Sequence, residues 1–147
     1  MSDGAGRLTL AQRMHWSQID VVNTDRLQAI VAEHGWPGWP LVGKRGAHDA
    51  WLLAQHADKQ LNFQRMAVRL LADAVAQQAA EPRHLAYLVD RVRMNEGREQ
   101  LYGTQMHAEL NGPVVPWPIE DPDNVDQRRA DVGLGPLADY TAGFQKR

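Results

Sequence analysis

A short stretch of the chain, LAQHADKQLNFQ, carries side chains suited to acid–base chemistry at a place where a core helix is expected. An imidazole such as that of His56 is the side chain best suited to taking up and releasing a proton during a reaction. Asp58 follows two residues later, and residues at that spacing do not share a face of a regular helix. His56 and Asp58 therefore form a catalytic pair only if the helix breaks between them. Otherwise His56 is a structural residue.

Gln64 lies on the apolar stripe of the same segment. Leu61, Gln64 and Val68 follow one another in steps of three and four residues, which places them on one helix face. A buried amide without a partner costs about 1–3 kcal/mol, so Gln64 needs a hydrogen bond. The sequence leaves two alternatives open, a structural bond to a loop carbonyl or a contact to a ligand.

Asp90 and Arg91 interrupt a later helical segment that is otherwise apolar on both sides. A helix with apolar residues on both sides is usually buried on both, so we expect the two charges at a packed junction. There they form either a structural ion pair or part of a pocket wall. The ion pair is favoured, because paired charges commonly hold helices in register.

Further polar residues collect in REQLYGTQ, an irregular segment in which Gly103 permits a tight backbone. Loops carried on a rigid scaffold are where binding residues collect, and Tyr102 could donate a proton or a hydrogen bond there. Arg128 and Arg129 come later and suit bidentate binding of a carboxylate or a phosphate. At least one of these two arginines is expected to be surface charge.

Together these patterns predict one site that acts on a small polar molecule. The candidate catalytic residues are His56, Asp58, Asp90 and Tyr102. The candidate substrate-binding residues are Trp36, Gln55, Gln64, Arg91, Gln105 and Arg129. In this site the glutamines would hold polar substrate atoms, and an arginine would meet an anionic group.

Covalent and metal chemistry find less support in the sequence. The chain has no Cys, and neither Ser2 nor Ser17 lies in a G-x-S-x-G motif. His48 and His56 would lie about 12 Å apart along a helix, too far to bind one ion together. No Gly-rich phosphate loop or dinucleotide fingerprint is present. The simplest prediction is therefore a reaction without metal or cofactor, and the alternative left open is a three-ligand metal site built from distant segments.

Size and charge bound the class of protein. The 147 residues suit one domain, and the net charge of -2 gives no general attraction to nucleic acid or to an anionic membrane. No apolar run approaches the roughly 20 residues that span a bilayer, and the N-terminus lacks the apolar region of a signal peptide. We expect a cytoplasmic protein whose partner is a small-molecule ligand rather than nucleic acid or a membrane.

The elements that must position these residues are mostly helices. Residues 1–20 are predicted to be a loosely ordered leader, and residues 21–147 a single helical domain. Asn23 or Thr24 can cap the first helix, and Gly35 can end it. The segment HGWPGWPLVG comes next, and its two Trp-Pro pairs predict an ordered loop.

Two further helices carry the candidate site. One is predicted from near Gly46 to about Ala79 with a break, and the next from Pro82 to Gly97. The pair Asn111-Gly112 is a turn signal between alternating segments and predicts a short β-hairpin near residues 100–119. The fold class is therefore mainly α, a compact helical domain with one short hairpin.

Several short motifs occur in a recognisable order along the chain. They are GWP with a later glycine at 35–43, QHAD at 55–58, Gln64, LAYLVDRV at 85–92, QLYGTQ at 100–105, and RRADVGL at 128–134. Over about residues 20–140 the chain resembles a bacterial family, domain of unknown function 6624. The resemblance implies no mechanism, because the family has no settled activity. It implies that QHAD, DR and YGTQ belong to the family's own pattern.

Two functions of different classes fit the sequence. The first is an enzyme that hydrolyses or eliminates a polar, anionic substrate by acid–base chemistry, with His56 as the proton carrier oriented by Asp58 or Asp90. The second is a non-catalytic module that binds a small ligand or a protein, in which the polar residues form a structural network. The geometry of the polar residues discriminates between them, because an enzyme needs them to converge on an open pocket.

Overall fold

A computed structural model of the chain describes residues 10–145, and the side chains of residues 21–145. This part of the chain is mainly α with one short antiparallel hairpin, which confirms the predicted fold class. The helices are α1 (Leu10–His34), α2 (Trp39–Gln55), α3 (Leu61–Ala76), α4 (Pro82–Asn95), α5 (Val125–Asp131) and α6 (Leu137–Gln145). The strands are β1 (Met106–Ala108) and β2 (Val114–Pro116), and a 3₁₀ turn covers Pro122–Asn124. No helix in the described ranges is long and apolar enough to cross a membrane.

The first helix begins at Leu10, well before the predicted cap at Asn23 or Thr24. The segment LAQRMHWSQIDVV contains neither Gly nor Pro, so nothing in it stops the helix from extending towards the N-terminus. The predicted leader over residues 1–9 lies outside the described residues. The helix ends as predicted, because Gly35 takes a φ of 75° and its N–H donates to the Val31 carbonyl at 2.9 Å.

The predicted Trp-Pro loop is shorter than the sequence suggests, since α2 begins at Trp39. Pro40 falls in the first turn of α2, where a missing N–H costs no helical hydrogen bond. The backbone N–H of Trp39, at the start of α2, donates to the Ala79 carbonyl at 2.8 Å. Gly43 kinks this helix with φ 72° and ψ 176°, a conformation that glycine adopts without strain.

The core lies where α3 packs against α4 and α2, with α1 against α2. Gln64 of the predicted apolar stripe on α3 is buried, but Leu61 and Val68 are only half-buried. The most buried face of α3 also carries Phe63, Ala67, Leu71 and Ala74. Small residues allow the helices to approach closely, and Ala54 and Ala67 have no exposed surface. The break between α2 and α3 falls at residues 56–60, directly beside the candidate site.

The hairpin carries the irregular segment that follows α4. Met106 pairs with Pro116 and Ala108 with Val114, and Asn111 takes the left-handed φ of 57° that its turn requires. Beyond the strands, a parallel bridge joins Gln100 to Ile119. This bridge closes the base of the loop formed by residues 100–105, here called the α4–β1 loop.

Candidate functional site

The centre of the polar cluster is an ion pair between Asp58 and Arg91. The break after α2 places Asp58 in a turn that faces α4, where Arg91 Nε donates to Oδ1 at 2.9 Å and Nη2 to Oδ2 at 2.5 Å. Burial tends to raise the pKa of Asp58, but hydrogen bonds from Arg91, Asn95 and Gln64 outweigh burial. The pKa therefore lies below its usual value, and Asp58 is ionised at neutral pH.

Gln64 joins this ion pair to the end of α2. It has no exposed surface, and its Nε2 donates to the Ala54 carbonyl at 3.0 Å and to Asp58 Oδ1 at 3.3 Å. Asn95 completes the group, because its Nδ2 donates to Asp58 Oδ1 at 2.8 Å and to Gln64 Oε1 at 3.0 Å. The burial of Gln64 is as predicted, and its partners are helix carbonyls and side chains.

Asp90, on a neighbouring face of α4, binds the α4–β1 loop rather than the turn after α2. Its Oδ1 accepts the backbone N–H groups of Leu101 at 2.8 Å and Tyr102 at 3.1 Å. Its Oδ2 accepts the Thr104 N–H at 3.0 Å and the Thr104 hydroxyl at 2.7 Å. Burial raises the pKa of Asp90, and these four hydrogen bonds oppose the rise. Asp90 thus holds the α4–β1 loop onto the helix from a fully buried position.

Gln105 connects the two aspartates. Arg91 Nη1 donates to Gln105 Oε1 at 3.1 Å, and Gln105 Nε2 donates to Thr104 Oγ1 at 3.0 Å. A continuous series of hydrogen bonds therefore runs from Asp58 to Asp90, and we call it the polar network. Its members are Asp58, Gln64, Asp90, Arg91, Asn95, Thr104 and Gln105.

The expected ion pair between Asp90 and Arg91 is not formed among the described residues. Neighbours in sequence point about 100° apart around a helix, so Asp90 faces the α4–β1 loop while Arg91 faces the turn after α2. Each residue therefore finds a partner on a different element. The two charges lie at a packed junction, as predicted, but they belong to opposite ends of the polar network.

Buried residues outside the network fix the shape of the α4–β1 loop. Gln100 Nε2 donates to the carbonyls of Gln105 at 3.0 Å and Trp117 at 2.9 Å. Arg129 is 2% exposed and donates to the carbonyls of Tyr102 at 2.7 Å and Gly135 at 2.6 Å. Arg129 therefore caps carbonyl groups in the interior, where a substrate anion could not reach it without a rearrangement.

Arg128 is also engaged with the backbone, so the expectation of surface charge for one of the two arginines is not met. Its Nε donates to the Leu101 carbonyl at 2.7 Å, and its other nitrogens reach the carbonyls of Glu120 and Asp121. Guanidinium groups present several donors in a rigid plane, which suits a loop whose carbonyls converge.

Besides Arg129, two further predicted site residues lie apart from the polar network. His56 is exposed just after α2, and its side chain makes no hydrogen bond or ion pair within the described ranges. Trp36 lies in the wall of a separate cleft of about 320 Å³ that also includes His34 and Asp73. The structure therefore does not bring His56 or Trp36 to the network.

Tyr102 and Gln55 touch the network only through the backbone. The Tyr102 N–H binds Asp90, while burial and the Asp90 charge raise the pKa of its hydroxyl. The Gln55 carbonyl accepts from Gln64 at 3.3 Å, and its own Nε2 donates to the Tyr87 carbonyl at 3.2 Å. Gln55 Oε1 is buried without a partner among the described residues.

Asn95 and Thr104 are network members that the list of candidate residues omits. Asn95 follows Arg91 by four residues, so helical spacing alone places both on one face of α4. Thr104 belongs to the segment REQLYGTQ, but nothing in its sequence position indicates that its hydroxyl binds Asp90. No group of three or more His, Cys, Asp or Glu in the described chain could hold a metal ion.

A family model described as a family of unknown function, DUF6624, matches residues 8–145. A search of curated proteins finds no match, and a search of solved structures finds none either.

Proposed function

Since the chain belongs to the DUF6624 family, whose function is unknown, we propose from the site geometry that it is a non-catalytic binding domain with a structural polar network. One observation carries this proposal. The carboxylate oxygens of both network aspartates accept hydrogen bonds from the chain itself. A carboxylate whose oxygens are already bonded in this way offers little to a substrate.

The same geometry gives little support to acid–base catalysis. A general base works best when its pKa lies near the working pH, whereas the pKa of Asp58 is lowered and that of the Tyr102 hydroxyl is raised. Asp90 is fully buried behind the α4–β1 loop. His56 has no partner in the described chain that would fix its tautomer or its orientation. These observations favour a structural role for the predicted catalytic residues over an acid–base set.

A paired screen tests the proposal. Wild-type protein and the His56→Ala variant are exposed to a metabolite library, first for thermal shift and then, by mass spectrometry, for conversion of each compound that shifts the melting temperature. We expect the same compounds to bind both proteins and none to be converted. Conversion of a bound compound by the wild type, lost in His56→Ala, would establish the enzyme and overturn the proposal.

The ligand of this domain is proposed to be a small molecule. Domains of this size bind such ligands in clefts of about 300–1,000 Å³ lined mainly by apolar groups with a few polar ones. The cleft at Trp36 and the cleft between α3 and α4 both reach that size. The cytoplasmic location and the bacterial source remain predictions from the sequence.

A further inference from the structure

Four arginines surround a cleft between α3 and α4. The cleft has a volume of about 370 Å³, which is enough for a small organic ligand. Its apolar lining consists of Val68, Val89, Val92 and Leu101. Its charged lining consists of Arg65, Arg69, Arg93, Glu96 and Arg98. We call this feature the arginine cleft.

Helix geometry brings these charges together. Arg65 and Arg69 are one turn apart on α3, so they share a face. Gly97 ends α4 with a φ of 72° and reverses the chain, after which the Arg98 N–H donates to the Arg93 carbonyl at 2.8 Å. This turn places the Arg98 side chain beside Glu96, at the end of the cleft.

Glu96 is the one carboxylate of the cleft lining, and it binds two of the arginines. Arg65 Nε donates to its Oε2 at 2.9 Å, and Arg98 Nη1 donates to its Oε1 at 3.1 Å. The hydrogen bond from Arg65 is the largest cause that lowers the pKa of Glu96, so this carboxylate is ionised at neutral pH. Glu96 thus shows how an anionic group can be held in the cleft.

The remaining two arginines leave the cleft with an excess of positive charge. Arg93 donates to the Glu99 carbonyl at 2.9 Å, and its Nη1 lies 4.0 Å from a Glu120 oxygen. Arg69 makes no hydrogen bond or ion pair within the described ranges. The cleft lining therefore contains four guanidinium groups and one carboxylate, although the whole chain carries a net charge of -2.

We propose that the arginine cleft binds an amphipathic organic anion, with its phosphate or carboxylate group on Arg65, Arg69 and Arg98 and its apolar body on the valines and Leu101. Guanidinium groups bind such anions through paired hydrogen bonds, and the apolar lining favours a ligand larger than a bare ion. Glu96 is an internal competitor that the ligand's anionic group must displace from Arg65 and Arg98. This inference rests on the proposed binding function and names its ligand class.

Titration by NMR tests the site with defined probes. Phenyl phosphate and phenylacetate are added separately to ¹⁵N-labelled protein, with inorganic phosphate and phenol as partial probes. We expect one or both aromatic anions to shift amide signals of α3 and of the end of α4, and to bind more tightly than either partial probe. The arm that binds more tightly identifies the anionic group as phosphate or carboxylate. Shifts that map elsewhere, or no shifts, would overturn the inference.

Three variants test the charges. Arg69→Gln removes the arginine without a partner in the described chain and should weaken binding about five-fold. Arg45→Gln removes the same charge from the exposed surface of α2 and should leave the affinity unchanged. Glu96→Gln removes the competitor and should tighten binding several-fold, a gain that a purely structural Glu96 would not produce. Equal losses in Arg69→Gln and Arg45→Gln would indicate unspecific attraction and contradict the site.

The same samples show whether a failure concerns the arginine cleft or the proposed non-catalytic binding function. A ³¹P spectrum of the phenyl phosphate arm records whether inorganic phosphate is released. Binding at the cleft with release would support the site and overturn the non-catalytic function. Library compounds that bind at the Trp36 cleft while the aromatic anions shift no signals would support the binding function and overturn the inference.

Discussion

Asp58 is the residue for which the prediction from the sequence can be compared most directly with the structure. Its position two residues after His56 suggests a catalytic pair, yet its carboxylate turns away to α4 and binds Arg91 through two hydrogen bonds. His56 remains at the surface without a partner in the described chain. The break between α2 and α3 that the pair required does exist, but it orients Asp58 towards the network.

Replacement of Asp58 tests this assignment. Asp58→Asn keeps the shape of the side chain but removes its charge and part of its accepting capacity. Hydrogen bonds to charged groups contribute about 1.5–3 kcal/mol, and the partial exposure of this pair reduces that figure. We therefore expect a loss of about 1 kcal/mol in the free energy of unfolding, measured in urea. His56→Ala, at an exposed site, should stay within about 0.5 kcal/mol of the wild type. The opposite order would contradict the structural role of Asp58.

The lowered pKa of Asp58 predicts a dependence of stability on pH. The folded value lies below the ordinary 3.8, so the unfolded chain binds the proton more tightly and ionised Asp58 stabilises the fold above that pH. As the pH falls below 3.8 towards the folded pKa, this stabilisation is lost. The difference in unfolding free energy between wild type and Asp58→Asn should therefore shrink in acid.

Asp90 does not disturb this comparison. Its pKa is raised, so its contribution to stability has the opposite dependence on pH, but wild type and Asp58→Asn both contain Asp90. Its contribution therefore cancels in the difference to the extent that the two sites are independent. A difference that stays constant or grows as the pH falls would show that Asp58 is not the ionised partner of Arg91.

At the scale of elements, the α4–β1 loop depends on one glycine. Gly103 takes a φ of 67°, and an added Cβ would lie 2.8 Å from Leu137 Cδ1 and 3.0 Å from Ile119 Cδ1. Apart from Asn and Asp, L residues rarely adopt this φ, and the two close contacts would oppose any side chain at this position. The loop can therefore present its three N–H groups to Asp90 only because residue 103 has no side chain.

Substitution of this glycine should weaken the loop and the fold. We expect Gly103→Ala to lower the free energy of unfolding by about 1–2 kcal/mol, because left-handed backbone and close contacts both oppose a Cβ. Gly143→Ala is the matched control, since Gly143 lies in α6 with open space around its Cα. Alanine has a higher helix propensity than glycine, so Gly143→Ala should leave the free energy of unfolding unchanged or raise it. Equal losses in both variants would refute the special role of Gly103.

Some elements can be predicted from the sequence because their signals are local. The apolar period of α3, the Pro82 and Gly97 boundaries of α4, and the Asn111-Gly112 turn all depend on neighbouring residues. The early start of α1 and the helical Trp39-Pro40 pair are missed. In α1, a segment without helix breakers allows the helix to extend past the preferred cap at Asn23 or Thr24. In α2, the first turn of a helix tolerates Pro, so the Trp39-Pro40 pair is helical rather than part of the loop.

At the scale of the whole molecule, the sequence identifies the polar residues but not their partners. Asp58 and Arg91 are separated by 33 residues, and Gln64 and Asn95 by 31. Helical period places each of them on a face of its own helix, but it contains no information on which face of another helix lies opposite. This is why buried Gln64 is predicted, whereas the route from Asp58 through Gln105 to Asp90 emerges only from the packed fold.

The molecule divides its polar residues between two tasks. The polar network fastens the α4–β1 loop and the α2–α3 turn onto α4, and its donors and acceptors bind one another. The arginine cleft, between the same two helices α3 and α4, keeps Arg69 without a partner in the described chain. We propose that the network is a structural support and that the ligand binds in the cleft.

The most direct measurement of the central claim is a double-mutant cycle between Asp58→Asn and Gln105→Met in urea unfolding. These two residues do not bind each other in the structure, but both bind Arg91. A single structural network predicts a coupling energy above about 0.5 kcal/mol in the free energy of unfolding. Losses that add to within about 0.3 kcal/mol would show that the residues act independently and would contradict the network.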